Sequence, residues 1–185
     1  ARKTTDPYAE VAYCMCAESI FTESIKSPGL NQASKVNFGF FLYQKEEFDK
    51  AITILNSALK GDLKLFSKEM IWDLEWNIYT VDDLATLDPY LNKEFLGRNV
   101  CILSQALVYY LLAKCMTERR TTCAVVDDII AAFEYFCEHI VPSIDVRNNP
   151  MNWFSNTDDL AESYALLGHL YICIQRPKEA VRAFT

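Results

Sequence analysis

The sequence predicts an all-α protein, a stack of antiparallel helical hairpins, and three observations carry that expectation. Only five glycines and six prolines interrupt 185 residues, too few for an all-β domain, which needs turn residues about every 8–12 positions. Hydrophobic residues make up 51% of the chain and charged residues 23%, a balance that builds a core and argues against disorder. Apolar residues recur at helical spacing, in runs that switch between very apolar and amphipathic. A single helical domain over residues 1–185 accommodates all three.

The first helix opens at Asp6-Pro7, a cap followed by a first-turn proline. Tyr8, Val11, Ala12, Met15, Ser19 and Ile20 then fall on one helical stripe until Ser27-Pro28-Gly29 stops it. A second helix, from about Asn31 to Tyr43, is apolar nearly all round and so must be covered on two faces. The third is amphipathic, with Phe48, Ala51, Ile52, Leu55, Ala58 and Leu59 on its stripe, and Lys60-Gly61 supplies a stop. Residues 62–97 form an irregular insertion between hairpins. Within it "SKEMIWDLEW" looks helical, "NIYTV" suits a short strand, and "DDLATLDPYLNKEFLG" suits a short helix broken at Asp88-Pro89. Residues 98–116 then form a very apolar helix, "TERRTT" a turn, and residues 123–140 an amphipathic helix ended by Pro142. A loop containing Trp153-Phe154 leads to a last helix that starts near Asn156 or Thr157.

Near the C-terminus, "LLGHLYICIQRPKEAVRAF" places a glycine in the middle of an apolar helix, where it costs about 1 kcal/mol relative to alanine. A close approach of two helices explains that choice. Leu167, Gly168, Tyr171, Ala180 and Phe184 have the spacing L-G-x2-Y-x8-A-x3-F, and Gln175-Arg176-Pro177 supplies a turn between them. The stretch "NFGFFLYQKEEFDKAITILNSAL" repeats the scheme with Phe38, Gly39, Leu42, Phe48, Ala51, Leu55 and Ala58. In each segment a glycine and an alanine lie on opposite arms of a hairpin, so Gly39 is expected to meet Ala51.

This pattern resembles the tetratricopeptide repeat, a 34-residue helix–turn–helix unit. The resemblance covers roughly residues 30–62 and 161–185. Leu63 stands where the repeat commonly has proline, the two good units are not separated by a multiple of the repeat length, and the pair at 98–140 lacks the glycine and alanine. The resemblance therefore implies an irregular α-solenoid. It also implies a scaffold that binds a protein or peptide in the groove lined by the first helix of each pair. The groove positions correspond to Ala33, Val36, Phe40 and Tyr43, then to Glu162, Ala165, His169 and Ile172. Chaperone-binding members of the family carry lysines and asparagines at such positions to clamp two carboxylates. The side chains here are apolar or acidic, which argues against a clamp for acidic peptides.

Composition and motifs narrow the function classes further. A net charge of −7 and a pI near 4.9 disfavour nucleic acid, which selects basic grooves. The longest apolar run, Ala106–Ala113, falls far short of the roughly 20 residues that span a bilayer, and no secretory signal is evident. Seven cysteines, an odd number, fit buried free thiols in a cytoplasmic protein better than a disulfide framework. Cys14-Met15-Cys16 and Cys137-Glu138-His139 suggest zinc, but residues i and i+2 of a helix point to nearly opposite sides, so core cysteines are the simpler reading. Asp82, Asp83, Asp88, Asp158 and Asp159 sit where acids cap helices. No phosphate-binding glycine loop, nucleophile elbow or H-E-x-x-H is present, so no enzyme activity and no cofactor are expected. Trp72 and Trp76 suit a core, whereas Trp153 and Phe154 suit either a core or an interface.

The chain begins at Ala1 and stops in mid-pattern at Thr185, as a piece of a larger protein would. Two functional classes follow. The first is a non-catalytic scaffold or adaptor. The second is a helical accessory or self-association domain appended to a larger enzyme, for example one resembling a nucleotidyltransferase. In either class Val181 and Phe184, left without a capping helix, form the expected association end, and homo-oligomers are a natural outcome.

Overall fold

The computed structural model describes residues 7–26, 32–59, 75–88, 91, 100–120, 122–143 and 161–185. It is mostly helical, with one two-stranded ribbon among the described residues. In chain order the elements are α1 (Pro7–Lys26), α2 (Gln32–Gln44), α3 (Phe48–Ala58), β1 (Trp76–Tyr79), α4 (Val81–Leu87), β2 (Val100–Leu103), α5 (Ser104–Glu118), α6 (Cys123–Tyr135), α7 (Ala161–Cys173) and α8 (Pro177–Phe184). After α6 the backbone widens to a π-helix over Phe136–Ile140 and tightens to a 3-10 turn over Val141–Ser143. Pro142 accounts for this, because its ring would strike the carbonyl of Glu138 in a continuing α-helix.

Helix α5 is the centre of the molecule. Ser104 through Ala113 are buried without a break, and α5 packs against α2, α3, α6 and α7. Such a helix has no polar face to give to solvent, so every neighbour must bring an apolar one. Helices α2 and α3 form one antiparallel pair and α7 and α8 another, while α1 docks on α2. Phe21 of α1 stacks on Phe38 of α2, with ring centroids 4.9 Å apart.

The three pairs turn in the same way. Glu46, Arg120 and Gln175 all take positive φ, at 60°, 55° and 61°. In the first turn the Glu47 N–H donates to the Leu42 carbonyl at 2.9 Å and the Glu46 N–H to Tyr43 at 2.9 Å. In the last, Arg176 donates to Tyr171 at 2.8 Å and Gln175 to Ile172 at 3.1 Å. Both are Schellman caps closed by a non-glycine residue in the left-handed region. Arg120 makes the corresponding shorter bond to Thr117 at 2.9 Å. Counting back equally from these residues reaches Gly39, Ala113 and Gly168. The middle pair thus has a small residue at the glycine position, buried Ala113, where the sequence pattern showed none.

Because glycine alone adopts this conformation freely, Glu46→Gly and Gln175→Gly should each stabilise the fold by up to about 1 kcal/mol. Urea denaturation checks this. A loss of stability at both positions would mean that these side chains contribute contacts that outweigh their backbone strain.

The structure corrects the sequence reading at several points. Trp76 begins a strand rather than ending a helix, and Val100–Leu103 is strand β2 rather than the start of the helix placed at 98–116. The two pair antiparallel, Trp76 with Leu103 and Tyr79 with Val100, so the structured part of the insertion runs beyond residue 97. Of "NIYTV", residues 77–79 lie in strand β1, and of "DDLATLDPYLNKEFLG", residues 82–87 lie in the short helix α4, whose start Thr80 and Asp83 complete with a capping box. Asp88 closes α4, and its carbonyl accepts from the N–H of Leu91, itself a helical residue, at 3.0 Å. The cap of the first helix at Asp6, the stop at Lys60-Gly61, Leu63, Trp72, Trp153, Phe154, the start near Asn156 or Thr157, Asp158 and Asp159 lie outside the described residues.

Candidate protein-docking site

The β1–α4 segment touches the face of α2 expected to line an open groove, where Val36 and Phe40 are buried and Asn37 and Gln44 remain exposed. Four contacts, at intervals of three or four residues, mark its path. The Ala33 N–H donates to Glu75 Oε2 at 2.6 Å, and the Tyr79 hydroxyl donates to Asn37 Oδ1 at 2.6 Å. The Tyr79 ring meets Phe40 edge-on at 5.9 Å, and Gln44 Nε2 donates to Thr86 Oγ1 at 2.8 Å. The β1–α4 segment therefore lies along α2 from its first turn to its last.

The same segment reaches α7. Asp88, at the end of α4, is buried and accepts from Tyr110 at 3.2 Å and from the Cys173 thiol at 2.8 Å. The Lys114 ammonium lies 3.7 Å from Cys173 Sγ. Burial, and then the hydrogen bond to Asp88, push the Cys173 thiol up to about 11, so it stays protonated at neutral pH. This cluster ties α4, α5 and α7 together and contains no activated nucleophile.

Of the eight expected groove residues, Val36, Phe40, Glu162 and His169 are buried within the fold. His169 meets the ring of Phe184 edge-on at 5.3 Å. Ala33, Tyr43 and Ala165 are half-buried, with Tyr43 against Phe48. Ile172 alone of the eight is exposed. The eight positions therefore offer no continuous open surface. At the expected association end, Phe184 is engaged with Gly168 and His169, whereas Val181 is 62% exposed.

The larger apolar surface lies on α1. Tyr8, Val11, Met15 and Ile20 are 85%, 59%, 68% and 66% exposed. Ala12, Cys16 and Ser19, between them on the same stripe, are exposed too. These seven positions hold no charge and extend over roughly 20 Å of helix. The sequence periodicity found this stripe but implied that it faced a core. In fact α1 uses its other side for docking, through Phe21 and Glu18.

Glu18 joins a four-membered ion network with Lys45, Glu47 and Lys50. Lys45 lies 2.9 Å from Glu18 and 2.7 Å from Glu47. The Lys45 ammonium, donating to both, holds the Glu18 and Glu47 carboxyls below the usual carboxylate range. A depressed carboxylate stabilises the fold above its unfolded value, near 4.3, and loses that contribution as pH falls through the folded one. Glu18, Lys45 and Glu47 are about one-third exposed and Lys50 is 62% exposed, so the contribution is small and salt-sensitive. Amide exchange, corrected for intrinsic rates, should therefore rise in α1 before α5 on going from pH 6 to pH 3. Equal loosening of both helices would show that the network does not hold α1.

None of the seven cysteines is in a disulfide. Cys101, Cys115 and Cys137 are buried, whereas Cys16 and Cys123 are exposed. Among the described residues no group of three or more histidine, cysteine or acidic side chains is placed to hold a metal ion, and no helix is long and apolar enough to cross a membrane.

No protein-family model, curated protein or solved structure matches this chain.

Proposed function

We propose that this chain is a non-catalytic, tetratricopeptide-like scaffold that binds another protein through the outer stripe of α1. The observation that carries the reading is that stripe, exposed, apolar and free of charge from Tyr8 to Ile20. Stripes of this kind on folded proteins commonly serve as association surfaces, and helices bind helices through residues at this spacing. The resemblance to tetratricopeptide repeats points to the same class, but it suggested the groove. With β1 and α4 lying on α2, the outer face of α1 is the better candidate. An accessory domain within a larger protein would use the same stripe to dock on its parent.

A photoreactive amino acid replacing Met15 tests this in cells, with the exposed Asn56 of α3 as control position. The expected result is a discrete protein adduct from position 15, identified by mass spectrometry, and none from position 56. No adduct at position 15, or equal adducts at both, overturns the proposal.

A further inference from the structure

We infer that Cys173 and Lys114 form an oxidation-dependent covalent staple: under peroxide, the sulfur of one bonds to the side-chain nitrogen of the other and fastens α7 to the central α5. The two side chains already touch. The Lys114 ammonium donates to Cys173 Sγ at 3.7 Å, while the thiol donates its own proton to Asp88 Oδ2 at 2.8 Å. Sulfur thus keeps its hydrogen on the carboxylate side and turns a lone pair toward the lysine. Asp88, which receives that hydrogen bond, is buried and is held in turn by the Tyr110 hydroxyl at 3.2 Å. Cys173 is the last residue of α7 and Lys114 lies on α5, and neither is fully buried. Hydrogen peroxide, small and uncharged, can therefore reach the sulfur.

The thiol rests protonated, so the reaction is slow, and what the geometry decides is its product. Sulfur attacks one peroxide oxygen, and the S–O bond forms as the O–O bond breaks. The thiol proton, passed through Asp88, leaves with the other oxygen as water. Cys173 is then a sulfenic acid, a species that condenses with a neighbouring thiol or nitrogen. Lys114 is the nitrogen in contact. Having given a proton to solvent, its amine attacks sulfur; the S–N bond forms, the S–O bond breaks, and the departing hydroxide takes one amine proton and leaves as the second water. Peroxide is reduced to two waters, and the cysteine–lysine pair supplies the two electrons. The linked residues lie 59 positions apart, so the staple closes a long loop and restrains the unfolded chain as a disulfide does. It holds the α7–α8 pair on the core until a thiol reductant cleaves the S–N bond.

Peptide mapping of the purified, reduced chain after treatment with hydrogen peroxide, beside Lys114→Arg treated in the same way, decides the matter. Both are digested with trypsin without reductant and read by mass spectrometry. Lys114→Arg keeps the positive charge and the trypsin site, but its guanidinium stays protonated and cannot attack sulfur; circular dichroism verifies that the variant is folded. The wild type should yield a peptide that joins the two segments and is uncut after residue 114, because its lysine is modified. That peptide should be two hydrogens lighter than the sum of its parts and should disappear on adding dithiothreitol. In Lys114→Arg it should be absent, and Cys173 should proceed to sulfinic acid. A joined peptide cut after Lys114 would be a disulfide to the adjacent Cys115 and would overturn the inference. Finding Cys173 only as thiol or sulfinic acid in the treated wild type would overturn it as well.

Discussion

Replacing Gly39 by alanine is expected to destabilise the protein by about 1–2 kcal/mol, while the same change at Gly168 should leave stability unchanged or slightly improve it. In both places an added methyl group enters occupied space. At Gly39 it would lie 2.5 Å from Leu55 Cδ2 and 2.6 Å from Leu55 Cγ. At Gly168 it would lie 2.6 Å from Cζ and 2.7 Å from Cε1 of Phe184. What differs is whether the neighbour can yield. Leu55 is fully buried between α2, α3 and the central α5, and the clash includes its branch carbon, so the whole side chain must move. Overpacking of that kind costs about 1–3 kcal/mol, and the better helix propensity of alanine returns about 1. Phe184 is 43% exposed, and the clash falls on the far edge of its ring, so a rotation toward solvent relieves it. Chemical denaturation of the two variants measures the difference. Equal losses at both positions would show that helix α8 is held as firmly as the core.

That contrast also marks how far the sequence could be read. A glycine inside an apolar helix announced a close helix–helix approach, and Gly39 and Gly168 do make one. The partner was misplaced by one helical turn: the side chains that occupy the glycine notches are Leu55 and Phe184 rather than Ala51 and Ala180. Periodicity located α1 through α3 and the C-terminal pair, because each stripe is bounded by turn residues. It failed at Val100–Leu103, where every residue is buried and no alternation separates the strand from the equally buried helix that follows. It also failed to say which side of α1 is covered, since Phe21 and the Tyr8–Ile20 stripe are both apolar and only the position of α2 distinguishes them. The expected groove was lost for a related reason. Nothing local in Ala33, Asn37 or Phe40 reveals that a segment some forty residues downstream will lie on them.

The junction between that segment and α2 is where a single exposed-looking acid should matter most. Replacing Glu75 by alanine is expected to destabilise the protein by about 2–3 kcal/mol, the range for hydrogen bonds to a charged group together with loss of a helix cap. Glu75 Oε1 accepts from the Gln32 N–H at 3.2 Å and Oε2 from the Ala33 N–H at 2.6 Å. One carboxylate thereby satisfies two of the amides that α2 leaves unpaired at its start, with its charge at the positive end of the helix dipole. The residue is also anchored from its other side, since its carbonyl accepts from the Ser104 N–H at 2.8 Å. Beside it the buried Gln32 donates to the Ala58 carbonyl at 2.9 Å and to Gln105 at 2.5 Å. The start of α2, the end of α3, the start of β1 and the first turn of α5 therefore meet at one point. Glu75→Gln keeps an acceptor but loses the charge and should recover part of the stability. Urea denaturation gives the magnitudes, and amide exchange at Gln32 and Ala33 gives the location. Faster exchange there in Glu75→Ala, with α6 and α7 unchanged below the global unfolding limit, is the expected pattern. Unchanged exchange at those two amides would mean that another group caps α2 and that Glu75 does not hold the insertion in place.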